Sequence, residues 1–340
     1  MKNTHSPTPD SFAPAGMVTA GQFKGTIANL STTQWDGSLG LLSPRRTQRK
    51  GWIYGGVMDA RFIVGFAIAD AGLLGTAFVY VYDRIHKTLS EHKATRPLAF
   101  DKNFQPSPQT NWYLKNGSDE WRIAPLNDTA GWAFSFNNTT LNLAFELMDD
   151  GASISALNNA PSKGNSRPFH YTHKLVGIPA RLHLSLNGET HEIMDAQGVF
   201  DFTLGYPPRT TLWQWACWVG VLDDGRAFAC NLVAQTMNGL ENTAWLRLSN
   251  GDTHVLPVAQ AVFNYNRADT LQTWAIHTTD GQLRVQFTPE GERSESIHIG
   301  AMYSHFTQPF GAFSGVWVDE QGHERALTGI GVVEQHRALW

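Results

Sequence analysis

WQWACWVGVLDDGRAFACNLVAQ, residues 213–235, contains two apolar segments that meet at Asp224-Gly225. This dipeptide is favoured where a tight turn requires positive φ. Alternation along the first segment puts Trp213, Trp215 and Cys217 on one face and Trp218 on the other. The pattern predicts a β-hairpin whose two faces are both apolar. One face is expected to pack in a core, and the other to line a ligand cavity or pack on a second sheet.

Short strands and turns of this kind recur along the rest of the sequence. Of its 340 residues 42% are hydrophobic, only 16% are charged and 31 are glycine, a composition that favours β-structure with a sizeable core. Alternating segments at 121–126, 132–138 and 141–150 predict strands. Turn dipeptides follow at Asp150-Gly151, Asn187-Gly188, Asn250-Gly251 and Asp280-Gly281. We predict a mainly β protein of meandering antiparallel sheets, as in barrels or sandwiches.

Two cysteines lie on the two arms of the hairpin. If Asp224-Gly225 is a two-residue turn, Cys217 lies opposite Leu232 and Cys230 opposite Val219. The thiols are then diagonal neighbours on one face, roughly 7–8 Å apart at Cα. Because this separation exceeds the usual reach of a disulfide, we predict two unpaired core thiols, compatible with a reducing cytosol.

Charge and hydropathy limit the partners and the compartment. A formal net charge of −4 argues against nucleic-acid binding, which normally requires a basic patch or stripe. The first residues lack the apolar segment of a signal peptide. The most hydrophobic stretch, 57–82, is interrupted by Asp59, Arg61 and Asp70, so stable membrane insertion is not expected. These features predict a cytoplasmic protein of unknown oligomeric state.

The chain is expected to divide into a flexible N-terminal arm over 1–20, an N-terminal β half over 21–188 and a C-terminal β half over 189–340. One continuous structure with exchanged strands is the alternative. A polar segment at 158–168 is the expected linker or long loop. One strand is predicted over 57–69, with Asp59 and Arg61 on the same face. That pair is interpreted either as a buried ion pair or as a site for a polar ligand head.

Two pairs of residues with period-two spacing are candidates for acid–base chemistry. In FHYTHK (169–174), Tyr171 and His173 share one face, and His170 lies on the other. Near the C-terminus, Glu334 and His336 point the same way and are expected to share a hydrogen bond. A carboxylate that orients an imidazole is the usual support for proton transfer, although both pairs could be structural.

The remaining candidates could bind a ligand or only stabilise the fold. Asp201 is expected to hold the loop at 206–208, and Asn242 to form hydrogen bonds in a loop or to a ligand. Five tryptophans could line an apolar pocket or belong to the core: Trp213, Trp215, Trp218, Trp245 and Trp274. The sequence has no GxGxxG after a strand, Walker loop, HExxH, paired CxxC or GxSxG motif, so no cofactor or metal is predicted.

The sequence resembles the bacterial domain-of-unknown-function 2804 family over nearly its whole length. The C-terminal motifs are the most distinctive: DFTLGYPPRTTLWQWA (201–216), GLENTAW (239–245), LQTWAIHTTDGQLRVQFTPEGER (271–293), QPFGAFSGVW (308–317) and GIGVVEQHRALW (329–340). LSTTQWDGSLGLLSP (30–44) and KGWIYGGVMDARFIVGFAIAD (50–70) add to the likeness. Nine residues match the family pattern without an assigned role: Asp201, Trp213, Trp215, Glu241, Asn242, Trp274, Gln308, Glu334 and His336.

That family is distantly similar to hydroxyneurosporene synthase, tocopherol cyclase and related calycin-like proteins. The resemblance implies two lipocalin-like antiparallel β-barrel or sandwich halves. It also implies a lipophilic polyene, prenyl or polyketide substrate that is hydrated or cyclised by proton transfer without an organic cofactor.

Three functions remain open from the sequence. The first is a hydratase, isomerase or cyclase with a tryptophan-lined pocket and a proton donor at Glu334-His336, Tyr171-His173 or Asp59. The second is a non-catalytic carrier of a lipophilic molecule with the same pocket. The third is a carbohydrate-active or carbohydrate-binding protein with stacking tryptophans and paired carboxylates. The resemblance favours the first two about equally.

Overall fold

A computed structural model describes residues 6–13, 20–31, 47–97, 107–158, 169–236, 239–300 and 302–340. The 21 named elements of these residues are all β-strands, so the predicted mainly β class is confirmed. One sheet is a nearly closed barrel and the other a half-barrel. In the described part of the chain, no helix is long and apolar enough to cross a membrane. The predicted linker at 158–168 lies, apart from Asn158, outside the described residues.

The contacts of the chain divide it into two compact units, Ser6–Pro207 and, among the described residues, Pro208–Trp340. The first unit contains β1 (Gly21–Lys24), β2 (Lys50–Met58), β3 (Phe62–Asp70), β4 (Leu74–Asp83), β5 (Thr88–Pro97), β6 (Trp112–Asn116), β7 (Asp119–Pro125), β8 (Gly131–Asn137), β9 (Leu141–Met148), β10 (Ile154–Asn158), β11 (His170–Leu186) and β12 (Glu189–Gly205). The second contains β13 (Thr210–Leu222), β14 (Ala227–Ala234), β15 (Thr243–Arg247), β16 (Thr253–Pro257), β17 (Ala261–Asn264), β18 (Trp274–Thr278), β19 (Leu283–Ile299), β20 (Met302–Val318) and β21 (Glu324–Leu339).

The first unit forms a 12-stranded sheet in the order β5-β4-β3-β2-β12-β11-β9-β8-β7-β6, with β10 paired to β11 and β1 to β10. Its centre is the long hairpin of β11 and β12, which turns at Asn187-Gly188 as predicted. The boundary between the two units falls at Pro207-Pro208, because β12, which follows the predicted boundary at 188, pairs with β11 along its length and with β2 from Gln197 to Gly205. The core is rich in aromatic rings, such as Phe134 and Phe145, whose stacked centroids lie 4.6 Å apart.

The second unit forms a 9-stranded sheet in the order β16-β15-β14-β13-β21-β20-β19-β18-β17. Strand β13 pairs with the last strand of the chain, β21, and β20 pairs with both β19 and β21. The core of this unit contains Trp218, which stacks on Phe313 at a centroid distance of 4.6 Å. Since side chains alternate along a strand, Trp213 and Trp215 lie on the face opposite this core.

The hairpin that opens the second unit has a different turn from the one predicted. Leu222 N donates to Arg226 O and Gly225 N to Leu222 O, so three residues form the loop, with Gly225 at a φ of 84°. This is the type of loop in which a glycine in the left-handed region closes the turn. An odd loop length shifts the register by one residue. Cys217 consequently lies opposite Asn231, and Cys230 opposite Trp218.

The predicted placement of both thiols on one face was therefore wrong. They lie on opposite faces of the hairpin, and both are free and buried, as expected for core cysteines. Burial raises the pKa of the Cys230 thiol well above its ordinary value.

The single strand predicted over 57–69 was also wrong, because a turn separates β2 from β3. Asp59 N donates to Phe62 O, and the Asp59 carboxylate accepts hydrogen bonds from the backbone N–H groups of Arg61 (3.0 Å) and Phe62 (2.5 Å). An aspartate that binds backbone donors two or three residues ahead is typical of turns. Arg61 pairs with Asp83 at 2.8 Å instead of with Asp59. Asp59 thus stabilises a hairpin turn.

Candidate active site on the C-terminal sheet

The candidate site lies on the face of the second sheet opposite its hydrophobic core. Pairing of β13 with β21 places Trp213 opposite His336 and Trp215 opposite Glu334. Strand β20 brings Gln308 to the other side of Glu334. These side chains come from distant parts of the sequence, and only the sheet order brings them together.

Glu334 is held by two side-chain donors. Trp213 Nε1 donates to Glu334 Oε1 at 2.7 Å, and Gln308 Nε2 donates to Glu334 Oε2 at 3.1 Å. Only 6% of Glu334 is exposed. Charge-assisted hydrogen bonds of this kind offset the cost of burying a carboxylate. The carboxylate is therefore fixed in position close to an aromatic ring.

The predicted hydrogen bond between Glu334 and His336 is not formed. His336 Nε2 instead bonds the hydroxyl of Ser304 at 2.8 Å. Residues two apart on a strand are separated by roughly 6.6 Å along it. Cross-strand neighbours are closer, with Cβ atoms about 4.5–5.5 Å apart. The partners of both residues are consequently on neighbouring strands, and no pattern in the sequence pointed to Ser304.

The His336 imidazole is buried among aromatic rings. Its centroid lies 4.1 Å from that of Trp213, 5.5 Å from that of Phe306 and 6.1 Å from that of Trp340. Burial, with smaller electrostatic contributions from His305 and Arg293, lowers the pKa of His336 to about 3. The ring is therefore neutral at pH 7. Its Nδ1 has no hydrogen-bond partner among the described residues.

A buried cation lies beside this group. Arg293 of β19 is 1% exposed and sits opposite Gln308 of β20. It pairs with Glu295 at 3.2 Å, and its guanidinium carbon lies 4.8 Å from the centre of the Phe306 ring. The alternating polar residues of β19 gave no sign that Arg293 would be buried near Glu334. Arg293 helps to keep His336 neutral.

Tyr171 and His173 share one face of their strand, as predicted, and this face is interior. The two side chains form no hydrogen bond with each other. Tyr171 Oη bonds Ser155 Oγ at 2.9 Å, and burial raises the pKa of this phenol. His173 packs edge-on against Trp132 and Phe200, with centroid distances of 6.0 and 5.7 Å. Burial lowers its pKa to about 3, and neither ring nitrogen has a hydrogen-bond partner in the described structure.

Asp201 forms a buried polar network rather than holding the loop at 206–208. Lys174 Nζ donates to Asp201 Oδ2 at 2.5 Å, and the hydroxyls of Thr172 and Thr203 donate to Oδ1 at 3.1 and 3.3 Å. The loop is instead connected by Tyr206 N, which donates to Phe169 O. Counting back from the two-residue turn at Asn187-Gly188 would have placed Lys174 opposite Asp201, as observed.

The remaining candidates divide between the two faces of the second sheet. Trp213, Trp215 and Trp245 lie on the site face, whereas Trp218 and Trp274 belong to the core. Trp274 stacks on Tyr265 at 3.6 Å and donates to Thr270 O.

The side-chain amide of Asn242 forms hydrogen bonds with backbone groups. It accepts from Val233 N at 2.7 Å and donates to Ala259 O at 3.0 Å. No group of three or more His, Cys, Asp or Glu residues suited to a metal ion occurs in the described part of the chain.

Comparison with known proteins identifies a matching family and structures of similar fold. The family described as "Domain of unknown function (DUF2804)" matches residues 15–340. No curated protein matches the sequence. Among solved structures, the fold is similar to kievitone hydratase from Nectria haematococca, with 14% identity, a TM-score of 0.53, and coverage of 86% of this chain and 90% of that one. At this identity the likeness shows a shared fold alone.

Two further solved structures give lower scores. A putative AttH from Nitrosomonas europaea is 14% identical, with a TM-score of 0.49 and coverage of 86% of this chain and 93% of that one. CghA is 12% identical, with a TM-score of 0.44 and coverage of 98% and 96%.

Proposed function

The chain belongs to the DUF2804 family, and we propose that it carries out acid–base chemistry on a lipophilic small molecule, as a hydratase or isomerase. One observation carries this proposal: His336 is a buried, neutral imidazole with an unpartnered Nδ1, on the same face as the hydrogen-bonded carboxylate of Glu334. Kievitone hydratase, which shares the fold, supports the hydratase class.

In the proposed mechanism, His336 acts first as a base. If Nε2–H donates to Ser304, the Nδ1 lone pair can accept a proton from a carbon acid, an enol or a water molecule that adds to an alkene. The imidazolium formed in this step lies on the same sheet face as the carboxylate of Glu334. Because burial lowers the pKa of His336, the proton is readily returned to the substrate.

The aromatic side chains near His336 have two roles in this proposal. The rings of Trp213, Phe306 and Trp340 offer an apolar surface to a lipophilic substrate. They also bury the imidazole, which keeps its pKa low and so favours return of the proton to the substrate. No organic cofactor is needed, because the reaction moves one proton between substrate and imidazole.

The substrate class can be tested while the ligand is still unidentified. Native mass spectrometry and solvent extraction of the purified protein should yield a lipophilic small molecule. Incubation of that compound with the protein in D2O should then place deuterium on a carbon atom, because both hydration and isomerisation exchange a proton with the solvent. A sugar in the extract would contradict the lipophilic assignment.

Two variants separate an enzyme from a carrier. His336→Ala and Glu334→Ala should each slow the exchange by roughly 10²–10⁴-fold while the circular dichroism spectrum is unchanged. His254→Ala and Glu324→Ala, at exposed positions of the same unit, serve as matched controls. If the compound binds but wild-type protein incorporates no deuterium, the protein is a carrier. If both site variants exchange at the wild-type rate, the pair is structural.

A further inference from the structure

We infer that the ligand of this face presents a hydroxyl group, which donates a hydrogen bond to Gln308 Oε1. The inference rests on the proposed function and specifies the substrate class: an alcohol or a phenol on a lipophilic skeleton. It rests on the buried side-chain amide of Gln308, whose nitrogen donates a hydrogen bond and whose oxygen accepts none among the described residues.

The orientation of the Gln308 amide follows from its partner. The two ends of a glutamine amide differ only in that the nitrogen donates and the oxygen accepts. Glu334 Oε2 lies 3.1 Å from one end of the amide, and an ionised carboxylate can only accept. The end next to Glu334 is therefore the nitrogen. A flipped amide would place two acceptors against each other.

This orientation leaves the Gln308 oxygen without a donor. Gln308 is fully buried, and its Oε1 has no hydrogen-bond partner in the described part of the protein. Buried polar atoms are nearly always hydrogen-bonded, so an unpartnered acceptor requires an explanation. Nδ1 of His336, on the same sheet face, is likewise buried and unpartnered among the described residues. Two unsatisfied groups thus accompany one carboxylate and several aromatic rings.

The chemistry of these two groups selects among ligand head groups. A hydroxyl can donate its one proton to Gln308 Oε1, which leaves the Nδ1 lone pair of His336 available as the base of the proposed mechanism. An ether or a ketone can only accept, so it would leave Gln308 Oε1 unsatisfied. A carboxylate ligand likewise has no proton to donate to Gln308 Oε1. A hydroxyl group fits best.

Matched probes test this selectivity. Isothermal titration calorimetry at pH 7 would compare 2-naphthol, which donates, with 2-methoxynaphthalene, which has the same ring system and cannot donate. We expect wild-type protein to bind 2-naphthol at least about tenfold more tightly than 2-methoxynaphthalene. A single hydrogen bond to a buried acceptor changes affinity by about this factor. Equal affinities, or no binding of either probe, would overturn the inference.

Variants assign the selectivity to one atom. Gln308→Met removes the acceptor and should bring the affinity ratio of the two probes close to one. Gln286→Met makes the same chemical change at an exposed position of β19, so the ratio should stay at the wild-type value. If the Gln308→Met protein fails to fold, the wild-type ratio still decides the question.

The two proposals can fail separately. Loss of deuterium exchange in His336→Ala together with equal binding of both probes would refute the hydroxyl preference alone. Wild-type protein could also prefer 2-naphthol in a way that depends on Gln308 and yet catalyse no deuterium exchange. That result would support a hydroxyl-selective binding site and refute the proposed enzymatic activity.

Discussion

Replacement of His173 by Phe should flatten the pH dependence of stability. His173 lies in the core of the first unit, and burial lowers its pKa to about 3 from an ordinary value of 6.5. The unfolded chain therefore binds a proton between these two pH values and the folded protein does not. Stability is lost as the pH falls below 6.5, since stability rises with pH wherever the unfolded state binds more protons. Phenylalanine binds no proton in either state.

The size of the effect follows from the two pKa values. Between pH 7 and pH 5 the His173 imidazole should contribute about 2 kcal/mol of pH-dependent destabilisation. His336, whose pKa is also lowered to about 3, adds a similar contribution that the substitution leaves unchanged. The difference between the free energies of unfolding at pH 7 and pH 5 should therefore be smaller by about 2 kcal/mol in His173→Phe than in wild type.

Urea denaturation followed by tryptophan fluorescence measures this difference. His183→Phe is the matched control, because His183 lies on the same strand with an exposed side chain and should leave the pH dependence at the wild-type value. A wild-type pH dependence in His173→Phe would show that the imidazole is protonated or solvated in the folded protein, and would refute the reasoning from burial.

Three further predictions concern the buried polar groups. Lys174→Met should lower the free energy of unfolding by about 3–5 kcal/mol because it leaves the Asp201 charge unpaired, and adding Asp201→Leu should recover much of that loss in urea denaturation. Asn242→Ala should lower the free energy of unfolding by about 1–3 kcal/mol without changing 2-naphthol binding in calorimetry, since both ends of the amide bind backbone groups. Cys217 and Cys230 should not react with Ellman's reagent until the protein is unfolded, because both thiols are buried.

Each of these predictions has an outcome that contradicts it. If Asp201→Leu does not improve the stability of Lys174→Met, the network does not act through an unpaired charge. Loss of 2-naphthol binding in Asn242→Ala would make that residue part of the ligand site, as the sequence allowed. Rapid reaction of a thiol in folded protein would mean that the hairpin opens in solution.

The sequence alone determined the local features of this protein. Alternation of apolar residues predicted the β class, and the glycines of the five turn dipeptides all have positive φ: Gly151, Gly188, Gly225, Gly251 and Gly281. It also placed His170 and His173 on opposite faces of one strand. These features depend on a few neighbouring residues, because side-chain direction along a strand and the backbone conformation of a turn are local properties.

The tertiary structure decided which face is interior and which residues meet. Both faces of the 213–221 segment are apolar, so only the contact of Trp218 with Phe313 identified the core face. The loop of three residues changed the cysteine register, which the dipeptide alone could not specify. Likewise, Glu334 and His336 lie close in sequence, yet their hydrogen bonds go to neighbouring strands. Such contacts depend on strand order and register, which residues far apart in the chain determine together.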